Sequence, residues 1–485
     1  MHDPESGEEP DSNIPPIDWD DDATETKPKP PRKGNGEGAH LVDIEPLPAG
    51  FGEDALAVEW VKQHGENWRY VLKWDRWFEW QGNIWRECET GKYFDLARII
   101  TRDALLWPGC PEAASTQRRI NSASTAAAIV RLIRHDPKIA TTTQIWDTHP
   151  HLLGTPAGVI DLRTGKLLEG EREHYVTMSA AVTPEAGEPT LWLQHLDLVL
   201  KGNKDVIAFL RRYFGYMLTG HVGEHCLVFL FGTGRNGKGT VVETVIKLLG
   251  DYGYSAPMNI LMESRSERHP AELAKLRGKR GVSASEPPQG ARWDDGRIRW
   301  LTGGDTITAR GMREDFYSFQ PTHKMIVMGN SKPMLRTVDP AIVSRFRIVD
   351  FSHFIEPEDR IPDFLDRLKA EWPKILNWMV QGSIEYFQIQ SLGSPEDITR
   401  STEDYLQSED TFGQWLQDCC DRTGSASTKD LRASYTRWCE ENGEHPTGTK
   451  TFSNALTNKG FKRVERLPGS RDRGFIGVKL LSLIR

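Results

Sequence analysis

CLVFLFGTGRNGKGTVVETVIKLLG, residues 226–250, is the stretch that decides the fold. An apolar strand runs into a glycine-rich turn carrying one lysine, and the turn opens directly into an amphipathic helix. This is the architecture that holds a nucleoside triphosphate. Backbone N–H groups of Gly234, Asn236 and Gly237 are placed to wrap the β-phosphate, the positive end of the helix adds its field, and Lys238 reaches the β- and γ-oxygens. Glycine is needed there because a Cβ blocks close backbone approach. The nucleotide-contacting set is therefore Gly232, Thr233, Gly234, Arg235, Asn236, Gly237, Lys238, Gly239 and Thr240. The strict G-x-x-x-x-G-K-[ST] pattern fails at one place: Gly239 occupies the hydroxyl position and Thr240 follows it, so Mg²⁺ coordination is assigned to Thr240. A surface turn with a chance lysine would leave the strand before it and the helix after it unexplained.

The chain around this turn has 485 residues, enough for about three domains. The acidic, proline-rich N-terminus lacks the basic-then-apolar signature of a signal peptide, and no apolar run is long enough for a membrane span. Six cysteines at 88, 110, 226, 419, 420 and 439 contain no C-x-x-C pair. A reducing compartment, the cytoplasm of a bacterial host, is the expectation. The formal charge of −8 is unevenly spread: residues 1–45 hold thirteen acidic and four basic side chains, whereas 421–485 hold thirteen Lys/Arg against seven Asp/Glu. That asymmetry predicts an acidic flexible tail and a basic C-terminal module facing phosphate.

Four segments follow. Residues 1–40 are polar and proline-rich, the composition of a disordered tail. Residues 41–195 form a tryptophan-rich α+β domain. Within it RYVLKWDRWFEWQGNIWRECET, 69–90, predicts a β-hairpin turning at Gln81-Gly82-Asn83. Its aromatics beside arginines suit either base stacking or, the favoured reading, a small hydrophobic core. Helical patterns run over Asp95–Leu106 and Ala123–Ile139, and HLLGTPAGVIDLRTGKLL, 151–168, predicts two short strands with turns at Gly158 and Gly165. Residues 196–392 alternate helices with apolar strands, as an α/β nucleotide-binding domain does: a helix at Asp205–Thr219, then strands at Val282–Ser285, Met325–Met328 and Arg347–Phe351. Residues 393–485 comprise a polar linker to Asp410, then two helices, Thr428–Glu441 and Thr449–Lys459, and a basic hairpin. That is the parts list of a winged helix. Its DNA-facing candidates are Lys462, Arg463, Arg471 and Arg473.

Phosphoanhydride hydrolysis needs a metal, an oriented water and positive charge at the transition state. Glu286, at the end of a strand, is the candidate to polarise water and share the metal with Thr240; Ser285 replaces the acid that commonly precedes it. Asn330, just past another apolar strand, is placed to hold the attacking water and a γ-oxygen. Arg345 and Arg347 flank a phenylalanine before the last strand, and an arginine reaching a neighbour's site is worth orders of magnitude in phosphoryl transfer. Alone, Glu286 reads as a loop acid, Asn330 as a turn residue and the arginines as solvated; their order along the chain is the argument.

GTGRNGKGT (232–240), SEP (285–287), LTGGDTITAR (301–310), MGN (328–330) and SRFRIVDF (344–351) occur in the order seen in superfamily 3 helicases. More narrowly, the chain resembles the helicase portion of phage and plasmid primase-helicases, relatives of the poxvirus-type primase-helicase; WFEWQGNIW (77–85) and GVIDL (158–162) resemble the domain that precedes the helicase there. The resemblance implies an AAA+-like P-loop ATPase assembled as a ring, usually a hexamer, with ATP between subunits and DNA in the pore. It implies that Lys238 and Thr240 bind nucleotide and Mg²⁺, Glu286 activates water, Asn330 is the sensor, and Arg345 is the trans finger with Arg347 competing. It also implies a pore hairpin, here TITARGMREDFYSFQPTHK (306–324), with Arg310, Arg313 and Lys324 as phosphate contacts, each equally readable as part of a solvated face. The expected function is an ATP-dependent replicative DNA helicase of a phage, plasmid or integrated element that unwinds duplex as a ring, with 3′-to-5′ travel implied by the resemblance, and with single- and double-stranded DNA and a separate primase or polymerase as partners. The alternative is an ATP-controlled origin-binding initiator with little unwinding. The tail is too polar to fold as a primase, so primer synthesis is not assigned.

Overall fold

The computed structural model describes residues 50–264, 271–287, 290–311, 316–335, 338–444 and 446–481. The acidic tail and Arg313 lie outside the described residues.

Five short strands form the central sheet: β1 (Leu227–Phe231), β2 (Gly253–Ala256), β3 (Gly281–Ser285), β4 (Lys324–Gly329) and β5 (Phe346–Asp350). Their spatial order is β5-β1-β4-β3-β2, and every pairing is parallel. Parallel strands are covered on both faces, so LVFLF of β1 and MIVM of β4 read as unbroken apolar runs rather than alternating ones. One face carries Val228, Leu230 and Val349 against the helices Lys204–Leu218 and Lys238–Leu248; the other carries Leu227, Phe229 and Ile348 around Trp293. The Lys204–Leu218 helix starts at Asn203, whose side chain accepts from the Val206 N–H, and packs along the Trp372–Ile389 helix. Gly215 and Gly382 permit that contact, since a Cβ at either would overlap the facing backbone at 2.1 or 2.0 Å.

Upstream, the strands Trp68–Val71, Arg76–Trp80 and Trp85–Glu87 form an antiparallel meander, its second turn at Gln81–Asn83. Trp60, Trp68, Trp77 and Trp85 are buried, and Phe78 stacks on Trp146 at 4.4 Å. These rings are a core, not a surface for bases. Two expectations change. The helix beginning at Ala123 ends at Ile133 instead of 139, because Pro137 disfavours helical geometry at Asp136. Residues 151–168 contain three strands, Leu152–Thr155, Gly158–Asp161 and Lys166–Leu168, because left-handed Gly165 (φ 74°) closes a second hairpin.

The expected polar linker also differs. Glu396–Glu409 is a helix whose Ile398, Thr402, Tyr405 and Leu406 form a buried stripe against β5. Thr402 Oγ1 accepts from the outward-facing Ile348 N–H at 2.9 Å, so the sheet edge is closed. Beyond it, the helices Thr411–Cys419, Thr428–Glu441 and Thr449–Asn458 enclose Trp415, Tyr435, Trp438 and Phe452, and the strands Ser425–Ser427, Gly474–Ile476 and Lys462–Val464 form a small antiparallel sheet. Among the described residues no helix is long and apolar enough to cross a membrane, and all six cysteines are free thiols.

Candidate nucleotide site

The glycine-rich turn leaves β1 at Gly232 and ends at Gly237, the N-cap of the Lys238–Leu248 helix. Gly234, Arg235 and Gly237 all have positive φ (100°, 51° and 78°), backbone conformations that curl the turn tightly ahead of the helix. Gly232 admits no side chain: its Cβ would lie 2.1 Å from Asn236 Nδ2 and 2.3 Å from the Phe351 carbonyl. Asn236, itself buried, donates from Nδ2 to that same carbonyl at 2.7 Å, and Ile355 N–H donates to the Arg235 carbonyl at 2.9 Å. The turn is thus stitched to the segment leaving β5. Gly239 faces open space and Thr240 is half-buried on the first turn of the helix.

Lys238 is 4% exposed, and Nζ donates to the Gly232 carbonyl at 2.7 Å, to Asn236 Oδ1 at 2.9 Å and to Asn330 Oδ1 at 3.2 Å. Burial pulls its ammonium below the ordinary lysine range, while the Glu286 charge pulls it partly back. Asn330, exposed just past β4, donates from Nδ2 to Glu286 Oε2 at 3.3 Å. Glu286, just past β3, has φ 56°, a strained conformation for a side chain of its size, fixed by its N–H bond to the Met328 carbonyl at 3.0 Å. Lys238, Asn330 and Glu286 therefore form one hydrogen-bonded line across the ends of three adjacent strands. Ser285 is exposed beside it.

A buried ammonium behind a glycine turn at a helix N-terminus fits a polyphosphate. Among the described residues no group of three or more His, Cys, Asp or Glu side chains can hold a metal alone. A Mg²⁺ at Thr240 and Glu286 would take its remaining oxygens from phosphate and water, which is how this ion is usually bound. Beside the turn a cleft of about 580 Å³ is lined by Gly232, Thr233, Lys332, Asp350 and Asp397, among others.

Arg345 and Arg347 are elsewhere. Phe346 pairs with Leu227 and Asp350 with Phe231, so Arg345 lies at the start of the sheet, roughly 16 Å along the strands from the turn. Arg345 donates to the Ala341 carbonyl at 2.5 Å, and Arg347 to the Ser344 and Phe346 carbonyls at 2.9 and 2.8 Å. Neither meets the glycine turn of its own chain.

Lys324 is a correction. It opens β4, is 3% exposed, and donates to the Thr219 carbonyl and, at 3.0 Å, to the Thr322 carbonyl. Arg280, 4% exposed, donates to the Leu218 carbonyl at 2.6 Å and the Leu152 carbonyl at 2.7 Å. The two cations cap the negative C-terminal end of the Lys204–Leu218 helix, so Lys324 has no access to DNA phosphate. Arg310 is exposed at the end of the hairpin strand Ile307–Ala309, which pairs with Tyr317–Phe319. Lys462, Arg463, Arg471 and Arg473 are all exposed on the C-terminal hairpin, with Arg473 paired to Glu465 at 2.8 Å.

Three residues near these sites escaped the sequence reading. His195, 7% exposed, supports the turn from behind, its ring tilted against Phe364 at 4.9 Å. Lys332 lies 4.4 Å over the Phe231 ring in the cleft. Phe316 projects from the hairpin, 59% exposed. Only the spacing of Lys332, two residues past Asn330, gave any signal.

Two family models match the chain: one described as D5 N terminal like over residues 57–201, and a family of unknown function over 230–345. Several similar proteins are viral. The chain is 24% identical over 322 residues to a "Putative helicase" of Acanthamoeba polyphaga mimivirus, covering 61% of this chain and 34% of that protein. It is 23% identical over 339 residues to a "Putative primase" of African swine fever virus (62% and 34%), and 26% over 250 residues to a "Putative helicase" of Frog virus 3 (46% and 25%). The chain thus spans about a third or less of the length of these relatives. The chain is thus similar, over residues 57–201, to the D5 N terminal like family and, at low identity, to viral proteins named as helicases and primases. The apo NrS-1 C-terminal region superposes with a TM-score of 0.49 at 11% identity, covering 87% of this chain and 98% of that one.

Proposed function

We propose that this chain is the ATPase and helicase portion of a D5-type replication protein: a superfamily 3, AAA+-like P-loop ATPase that unwinds DNA as a ring. The observation that carries the reading is the line from Lys238 through Asn330 to Glu286, set beside the positive-φ glycine turn at the N-terminus of the Lys238–Leu248 helix. In this reading Lys238 neutralises the β- and γ-phosphates, Glu286 polarises the attacking water and Asn330 orients it against a γ-oxygen. Mg²⁺, bound with Thr240, supplies further charge neutralisation. The cleft beside Thr233 leaves room for the remainder of the nucleotide. The finger comes from a neighbouring subunit, with Arg345 as the first candidate, because the strand register keeps both arginines from their own turn. The all-parallel β5-β1-β4-β3-β2 order supports the AAA+-like assignment. The two-helix-and-hairpin C-terminal module supports a winged helix contacting duplex DNA through Lys462, Arg463, Arg471 and Arg473.

The test is ATP-driven strand displacement on a forked duplex by the wild type and Lys238→Ala. The wild type unwinds and the variant does not; equal unwinding by both refutes the proposal. One observation favours a slower relative of this machine: Ser285 places a hydroxyl, not a carboxylate, beside Glu286. In that second reading ATP drives assembly at an origin with little unwinding, and tight site-specific duplex binding with negligible DNA-stimulated turnover identifies it.

A further inference from the structure

The hairpin between β3 and β4 holds an aromatic ring out in water. Phe316 is 59% exposed, and among the aromatic side chains of the described residues only Phe354, at 43%, is also exposed. The hairpin itself is firmly rooted. Ile307 and Ala309 are fully buried in the Trp293 core, and Tyr317 and Phe319 are half-buried with their rings 6.1 Å apart. A phenylalanine left unburied on such a base forgoes stabilisation that the same ring gains in a core. Its one described neighbour of note is a cation: the Arg310 guanidinium lies 4.9 Å from the ring centroid, over its face.

A flat ring backed by a flat cation, both exposed at one end of a rooted hairpin, is chemically suited to an unpaired nucleobase. The base offers a π-face to the phenyl ring, and the guanidinium can stack while its charge meets the adjoining phosphate. Stacked duplex offers no free base face, so the fit is to a single strand. We propose that Phe316 and Arg310 form a stacking platform that grips a base of single-stranded DNA, so that the hairpin holds the strand by its bases as well as by its phosphates. The inference rests on the helicase reading above and adds to it a contact that phosphate-binding arginines alone do not make.

The discriminating ligand keeps the phosphates and removes the bases. The full chain, with a non-hydrolysable ATP analogue, is titrated with a labelled single-stranded oligonucleotide and with an abasic oligonucleotide of the same length at one salt concentration. The wild type is expected to prefer the base-containing strand by about tenfold, the scale of one stacked base. Phe316→Ala abolishes the preference, Phe316→Trp keeps it, and all three proteins bind the abasic strand equally. Equal binding of both strands by the wild type, or a preference undiminished in Phe316→Ala, overturns the proposal. If the wild type binds neither strand, the DNA-binding reading falls, and the platform with it.

Discussion

Gly237 carries two constraints at once. Its φ of 78° disfavours any side chain, and a Cβ would come within 2.6 Å of Val199 Cγ1 and 2.8 Å of the His195 ring. Gly237→Ala is therefore expected to lose about 1–3 kcal/mol of stability and most nucleotide affinity, checked by thermal melting with and without ATP. His195 and His323 are both pushed down to about 4 by burial, His323 also by the neighbouring Lys324 charge. Below the ordinary value of 6.5 the unfolded chain takes up these protons before the folded one does, so stability is full above about pH 6.5 and falls as pH drops toward 4. Urea midpoints should drop across that window by the equivalent of about 3 kcal/mol per histidine, and a His195→Gln, His323→Gln variant should flatten the curve. The lysine and glycines of the turn were legible in the sequence because the turn's chemistry is local. Lys324 was not, since its partner carbonyl, Thr219, lies 105 residues away and only the packed sheet brings them together.

At the scale of elements, the two buried cations explain how the Lys204–Leu218 helix ends against the base of the sheet. Lys324→Met removes a buried charge but leaves the Thr219 carbonyl without its ammonium donor. It should cost about 2–4 kcal/mol, seen in the denaturation midpoint, while the folded fraction keeps wild-type affinity for single-stranded DNA. Retention of stability with loss of DNA binding would return Lys324 to the hairpin role expected from sequence. The core strands were readable because β1 and β4 are unbroken apolar runs between polar turns. The Glu396–Glu409 helix was harder: its buried stripe of Ile398, Thr402, Tyr405 and Leu406 is diluted by six charged residues, so composition hid the period.

For the whole molecule, the register separates Arg345 from its own glycine turn, and under the proposed ring reading turnover becomes a property of assemblies. Lys238→Ala and Arg345→Ala proteins should each be nearly inactive alone. Mixed, they should recover measurable phosphate release, because some interfaces then pair an intact turn with an intact finger; if Arg347 is the finger, Arg345→Ala alone stays active. A mixture as silent as its components, with Arg345→Ala itself inactive, counts against sharing between subunits.

Arg280 reaches the Leu152 carbonyl in the upstream region as well as the end of the Lys204–Leu218 helix, and the Tyr252 hydroxyl meets the Gly154 N–H at 3.1 Å. Gly154 has no room for a substituent, since a Cβ would fall 2.1 Å from the Met178 carbonyl. The front half is thus not an interchangeable cassette. A chimera that takes residues before 190 from a distant homologue will need matching partners for Tyr252 and Arg280 transplanted with them, or the graft will leave the buried Arg280 guanidinium with the Leu218 carbonyl alone at its seam.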